Sequence, residues 1–226
     1  GILKSEDNGE TWVALESTQN GTPQTIDQWD RIWRLALDPS ATSDVVLAAL
    51  SGSIMRSDDS GDSWSIVLGN TGSTPYYSDL SVTSDGVFYA TMSADGVSKG
   101  IFRSTNGIDW INITPAGFPN SYNRMVMGIN PSDETEVYLM AETPSSGKRF
   151  ENFRGDVEWI SFWKYSYIIG DGTGVGGFWE DRSVNLPSGP FKFDDLNLQG
   201  GYNMLVAVLP NDENTVIIGG TNLFRS

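Results

Sequence analysis

Short stretches of apolar, β-branched and aromatic residues recur along the chain, and each is cut off by Pro, Gly, Asn, Asp or Ser. Such runs, too short for helices and bounded by turn residues, predict strands. Ile32 to Asp38 is followed by Val45 to Leu50 across Pro39-Ser40, and Ser78 to Thr83 by Val87 to Met92 across Ser84-Asp85-Gly86. Met125 to Asn130 is followed by Val137 to Glu142 across Pro131-Ser132-Asp133, and Met204 to Leu209 by Val216 to Gly220 across Pro210-Asn211-Asp212. Proline presets the turn dihedral, and Asp or Asn closes the turn through its own side chain. No segment carries a long helical period.

A further strand occurs five times with one composition: Gly1-Ile2-Leu3-Lys4-Ser5, Ser53-Ile54-Met55-Arg56-Ser57, Gly100-Ile101-Phe102-Arg103-Ser104, Phe162-Trp163-Lys164-Tyr165-Ser166 and Asn222-Leu223-Phe224-Arg225-Ser226. The terminal serines are 52, 47, 62 and 60 residues apart, the spacing of a repeating sheet of four short strands. Two copies run into a complete turn: Ser5, Asp7, Gly9 and Trp12 match Ser57, Asp59, Gly61 and Trp64. In each, the acid can accept backbone N–H groups, the glycine supplies positive φ, and the indole can fold back over the turn. A third copy, Ser104, Asn106, Gly107 and Trp110, is one residue shorter and has Asn for Asp. In a fourth, Lys164-Tyr165-Ser166, Gly170-Asp171-Gly172 and Phe178-Trp179 read as the same turn enlarged by a glycine-rich insertion.

These turns resemble the Asp-box (BNR) repeat, S-x-D-x-G-x-T/S-W, of sialidase-type and sortilin-type β-propellers. The resemblance implies an all-β propeller of four-stranded antiparallel blades, with the box between the third and fourth strands. It predicts one partial domain over residues 1–226: three complete blades at about 31–68, 77–114 and 124–183, and blade remnants at 1–15 and 203–226. Both termini fall on a third strand, so the expectation is a segment of a larger propeller. The tryptophans Trp12, Trp64 and Trp110 are expected to be largely buried, with Asp7 and Asp59 as structural acids.

Composition narrows the chemistry. The 14 basic and 29 acidic residues leave a net charge of −15, which disfavours nucleic acid and anionic membrane as partners. No apolar run is long enough to span a bilayer, so membrane insertion is not expected. Cysteine and histidine are both absent, which removes thiolate, Ser-His-Asp and imidazole-metal chemistry and leaves carboxylates, Tyr or Lys for any enzyme built here. No cofactor or metal is called for. Asp58-Asp59-Ser60-Gly61-Asp62 misses the spacing of a calcium loop, and Asn20-Gly21-Thr22 and Asn112-Ile113-Thr114 match the three-residue glycosylation pattern.

In a meander, the box turns and the Pro or Asp-Gly joins share one face and the remaining loops the other. Those loops are longer: Glu16 to Arg31, Gly69 to Tyr77, Ala94 to Lys99, Pro115 to Arg124, Pro144 to Trp159 and Asn185 to Asn203. Just before each innermost strand an aromatic residue adjoins polar ones: Trp29-Asp30-Arg31, Tyr77-Ser78-Asp79, Tyr122-Asn123-Arg124 and Tyr202-Asn203. These form either a ring of stacking platforms for sugar or peptide, or wedges between blades. The segment Ser145 to Trp159, with Arg149, Phe153, Arg154 and Trp159 beside Glu151, Asp156 and Glu158, is the second recognition candidate. Together these assign binding to Trp29, Asp30, Arg31, Tyr77, Tyr122, Arg124, Arg149, Arg154, Trp159 and Tyr202.

The reading that follows is a non-catalytic recognition or scaffold propeller that binds a glycan or a protein on the face opposite the boxes. Asn130-Pro131, Leu209 to Asn214 and Gly219 to Leu223 are similar to sortilin-like propeller regions of large bacterial surface and secreted proteins, which implies an extracellular or cell-surface setting. Its alternative is part of a carboxylate-dependent glycoside hydrolase of sialidase or xyloglucanase type, although the F/Y-R-I-P signature of sialidases is missing.

Overall fold

A computed structural model describes residues 1–19, 28–70, 77–152, 154–189 and 195–226. The Asn20-Gly21-Thr22 motif, Phe153 and parts of the loops Glu16 to Arg31, Gly69 to Tyr77 and Asn185 to Asn203 lie outside the described residues. The strands fall into successive antiparallel sheets. The first pairs β1 (Leu3–Lys4) with β2 (Val13–Ala14). The second is the meander β3 (Ile32–Leu37), β4 (Val46–Leu50), β5 (Ser53–Ser57) and β6 (Ser65–Gly69). The third repeats it with β7 (Ser78–Val82), β8 (Phe88–Met92), β9 (Gly100–Ser104) and β10 (Ile111–Asn112).

In the fourth sheet, β11 (Met125–Ile129), β12 (Glu136–Glu142), β14 (Val157–Tyr167) and β15 (Gly177–Asp181) make the meander. The added β13 (Lys148–Glu151) pairs with the first residues of β14. The segment Ser145 to Trp159, expected to be a loop, is therefore largely a β-hairpin that prolongs the sheet beyond the meander. The last sheet holds β16 (Leu205–Leu209), β17 (Asp212–Gly219) and β18 (Leu223–Arg225). The remaining regular elements are three-residue 3₁₀ turns, none within the first three boxes.

The first strands face one another: β3 lies against β7, β7 against β11 and β11 against β16. They line an open central groove of about 490 Å³ whose walls are Arg34 to Leu37, Leu80 to Val82, Met127 to Ile129 and Val206 to Val208. Hydrophobic packing lies between neighbouring sheets, with one apolar cluster in each seam.

The boxes are built as their residues dictate. In both full copies the serine hydroxyl donates to the acid (Ser5 to Asp7, Ser57 to Asp59, each 2.7 Å) and accepts the glycine N–H (each 2.8 Å). The same acid accepts the N–H and hydroxyl of Thr11 or Ser63. In the third copy the Asn106 amide oxygen accepts the Ser104 hydroxyl and the N–H groups of Ile108 and Asp109, so the shorter turn closes on an amide.

The box tryptophan reaches the seam with the preceding sheet. Trp64 meets Trp29 edge to face at 5.1 Å, and Trp110 meets Phe88 at 6.4 Å. Trp179, in the enlarged fourth copy, packs on Tyr165 at 4.8 Å and donates to the Ile113 carbonyl at 2.9 Å. The expected burial holds for two of the three box tryptophans. Trp64 and Trp110 pack against the apolar clusters of their seams with only a minor part of each residue exposed. Trp12, on the first of these sheets, is 61% exposed.

Box turns and first joins share a face: the Ser60 hydroxyl and N–H both reach Asp44, on the join before β4. Joins also lock neighbouring sheets together. The Ser84 N–H and hydroxyl donate to Glu134 at 2.6–2.9 Å, and the Ser132 hydroxyl donates to the Pro210 carbonyl at 2.9 Å.

Candidate functional site

The mouth of the central groove opposite the boxes gathers aromatic and charged groups from four sheets. Strand β3 enters it through a bulge at Trp33, with Ile32 opposite Leu50 but Arg34 opposite Ala49. Bulges re-aim a side chain in this way and are frequent beside functional sites. The Trp33 ring lies 4.9 Å from that of Tyr77, and the Arg124 guanidinium sits over both, at 5.5 Å and 6.0 Å. Arg124 also donates to the carbonyls of Gly201 at 3.0 Å and Tyr202 at 2.8 Å, so it ties the loop before β16 to the rings on β3 and β7. Tyr202 itself is 77% exposed.

Beneath that loop lies Glu142, the last residue of β12. Its N–H donates to the Arg124 carbonyl, and its own carbonyl accepts the Asn123 N–H. Gly201 lies against the carboxyl: a Cβ there would stand 2.8 Å from Glu142 Oε2 and 3.2 Å from Arg124 Cβ. Oε2 is buried and makes no hydrogen bond to protein. Desolvation raises the Glu142 pKa, opposed by a hydrogen bond with Asn123 and reinforced by the charge of Glu158. Glu158 in turn accepts the N–H groups of Leu198 at 2.6 Å and Gly200 at 2.7 Å, fixing the loop that carries Tyr202.

Asp79, 4% exposed on β7, accepts the Met127 N–H at 2.9 Å and lies 3.6 Å from Arg34 in the groove. Burial raises its pKa despite Arg34 and that hydrogen bond. Its place between two first strands gives it a cross-linking task.

The residues predicted from sequence separate into three groups. Tyr77, Arg124 and Tyr202 come together at the groove mouth, joined by Trp33 and Glu142. Trp29 and Tyr122 are buried wedges, the first in the seam with Trp64 and the second against Phe118 at 5.2 Å. Asp30 is exposed and Arg31 half-buried beside the Trp29 wedge. Arg149, Arg154 and Trp159 belong to the β13–β14 hairpin, where Arg149 pairs with Glu151 at 2.9 Å and Arg154 is exposed near the hairpin tip. The acidic set there is structurally occupied. Glu151 holds Arg149, Asp156 accepts the Asn152 amide at 2.9 Å, and Glu158 holds the loop.

Sequence reasoning missed Trp33 and Glu142. The bulge at Trp33 is a register event invisible in a run of strand-forming residues. Glu142 did leave a signal: it follows Ala141, which pairs with the first residue of β11, and the equivalent positions in the other sheets are Ser51, Ser93 and Gly220. A carboxylate where the repeat otherwise places small residues departs from the structural pattern. Among the described residues, no group of three or more His, Cys, Asp or Glu is placed to hold a metal ion.

No family model matches the chain. In sequence it is 26% identical over 194 residues to the xyloglucanase Xgh74A of Acetivibrio thermocellus, an alignment that takes in 73% of this chain and 23% of that protein. The GH74 enzyme of Niastella koreensis superposes on 100% of this chain and 33% of its own, with a TM-score of 0.65 and 19% identity. The GH74 xyloglucanase of Xanthomonas campestris matches with a TM-score of 0.56 and 18% identity, again over 100% of this chain and 33% of its own. An α-L-arabinofuranosidase of Fusarium graminearum matches with a TM-score of 0.52 and 15% identity, over 99% of this chain and 68% of its own. This chain is a segment of an Asp-box-type β-propeller.

It spans about a quarter, 23%, of the curated relative that it matches in sequence. The expectation of a non-catalytic recognition propeller is overturned here, because the relatives just described are glycoside hydrolases. They support the hydrolase alternative and leave the sortilin-like part of the resemblance without support.

Proposed function

We propose that this chain forms part of a β-propeller glycoside hydrolase that acts on a neutral polysaccharide of xyloglucan type, with the glycan lying across the face opposite the boxes. The observation that carries the reading is Glu142: a half-buried carboxyl with one unbonded oxygen and a raised pKa, set among Trp33, Tyr77, Arg124 and Tyr202 at the groove mouth. A general acid for glycoside cleavage must hold its proton near neutral pH, and burial without a paired cation is how a carboxyl does so. The exposed Tyr202 and the Trp33–Tyr77 pair offer stacking surfaces, and Arg124 holds the loop that displays Tyr202. Such hydrolysis uses two carboxylates on opposite sides of the scissile bond. In this reading the second is supplied by the part of the propeller that the relatives have beyond the aligned region. A polymeric substrate places the protein outside the cell or on its surface.

The test is release of reducing ends from xyloglucan by the full propeller that contains this segment. Glu142→Gln, nearly isosteric, should lower kcat by about a hundredfold or more, the usual share of a general acid, with melting temperature unchanged. Full activity in that variant would refute the assignment.

A further inference from the structure

The face that carries the boxes holds a second cleft, of about 600 Å³, in the seam between the β7–β10 sheet and the β11–β15 sheet. Its floor includes Arg103 and Tyr89, and its rim is formed by the joins Ser84-Asp85 and Ser132 to Thr135. Arg103 is only 6% exposed. The residue in the same place one sheet earlier is Arg56, likewise followed by the box serine. Arg56 is fully provided for: it pairs with Asp58 two residues on, at 2.5 Å, and donates to the carbonyl of Asn106 in the next box turn, at 3.0 Å.

Neither partner exists for Arg103. Two residues on stands Thr105, and the next box turn is the enlarged one, which meets the Arg103 side chain at Gly172, where a Cβ would stand 3.3 Å from Arg103 Cδ. The guanidinium instead lies over the Tyr167 ring at 4.1 Å and hydrogen-bonds the Tyr89 hydroxyl, while its Nε makes no hydrogen bond. Asp171 on the enlarged turn feels its charge but forms no ion pair with it. A buried guanidinium without a carboxylate is costly, because its donors lose water and gain too few acceptors in return.

The rim bears the opposite character. Asp85 and Asp133 are exposed, Asp133 with one oxygen accepting the Thr135 N–H and hydroxyl, and Glu134 is committed to Ser84 across the seam. With three carboxylates at the opening and a net charge of −15, an anion is repelled from the cleft despite Arg103. The lining therefore asks for a ligand without charge that accepts hydrogen bonds at the floor and donates them at the rim. Adjacent hydroxyl groups of a sugar do both, and the cleft volume is in the range of small-molecule sites.

We propose that this cleft is a second saccharide-binding site, for a neutral oligosaccharide, with Arg103 donating to sugar oxygens and Asp85 and Asp133 accepting from sugar hydroxyls. It is separate from the groove mouth and stands whether or not the protein hydrolyses glycan. The experiment is a ¹H–¹⁵N correlation titration of this chain with cellotetraose, with trigalacturonate as the charged counterpart. Cellotetraose should shift the amides of Ser84, Asp85, Asp133 and Thr135, equally in wild type and in Glu142→Gln. Asp85→Ala, at an exposed position, should weaken that binding roughly tenfold, the size of one charge-assisted hydrogen bond. Thr135→Trp, which fills the cleft from its exposed rim, should abolish it. Shifts confined to Arg124 and Tyr202, a response to trigalacturonate alone, no response at all, or binding indifferent to both variants would each overturn the proposal.

Discussion

At the residue scale, the box acids show how one side chain can serve structure alone. Asp7 and Asp59 have pKa values lowered from 3.8 to about 2, first by the hydroxyls of Thr11 and Ser63, then by the N–H groups of the same residues and by Ser5 and Ser57. Because the folded pKa lies below the unfolded one, the stabilisation is complete above 3.8 and fades as pH falls through about 2. Asp59→Ala should therefore lower the melting temperature by several degrees at neutral pH and by less at pH 2, read by circular dichroism. An equal loss at both pH values would count against the carboxylate as the source. Glu142 is the counterexample, a carboxyl given few donors and little water, and its pKa moves the other way.

At the scale of the element, each box turn is both a hairpin and a seam. Gly107 makes this concrete: its φ is +67°, and a Cβ there would lie 2.9 Å from Arg56 Nη1 and 3.2 Å from Phe88 on the neighbouring elements. Gly107→Ala should cost about 1–3 kcal/mol in urea unfolding, from left-handed strain and crowding together. A neutral result would mean that the turn yields without disturbing the seam. The enlarged fourth copy keeps the seam while giving up the turn. Trp179 still reaches the preceding sheet, but Asp171 now accepts only the Thr173 N–H and hydroxyl. The same enlargement strips Arg103 of the turn carbonyl that its counterpart Arg56 uses.

At the scale of the whole molecule, a charge of −15 is carried on sheets held together mainly by apolar seams. Several ion pairs are local, such as Lys4–Glu6, Arg149–Glu151 and Arg182–Glu180, and tie neighbouring residues rather than neighbouring sheets. Self-repulsion should thus outweigh the pairs that salt weakens. Raising sodium chloride from about 0.02 M to about 0.3 M should raise the melting temperature in a thermal shift assay, as the Debye length shrinks below the spacing between sheets. A fall would show that longer-range ion pairs dominate.

The repeat was open to reading from the chain alone because its determinants are local. Alternation sets which face of a strand is buried, and Ser, Asp and Gly close a turn on themselves, so the five related strands and the first two boxes needed no knowledge of what lay beside them. The pairing of Trp33 with Tyr77, the approach of Gly201 to Glu142, the burial of Trp29 and Tyr122, and the isolation of Arg103 depend on which sheet is the neighbour and on a one-residue bulge. Sequence placed Trp29, Tyr77, Tyr122 and Tyr202 in one class because each precedes a first strand; the structure divides them into two wedges and two groove-mouth residues. Local chemistry therefore determined the repeated strands and the box turns. Only the tertiary structure decided which polar groups keep partners and which are left buried with too few, since desolvation is a property of the assembled seams.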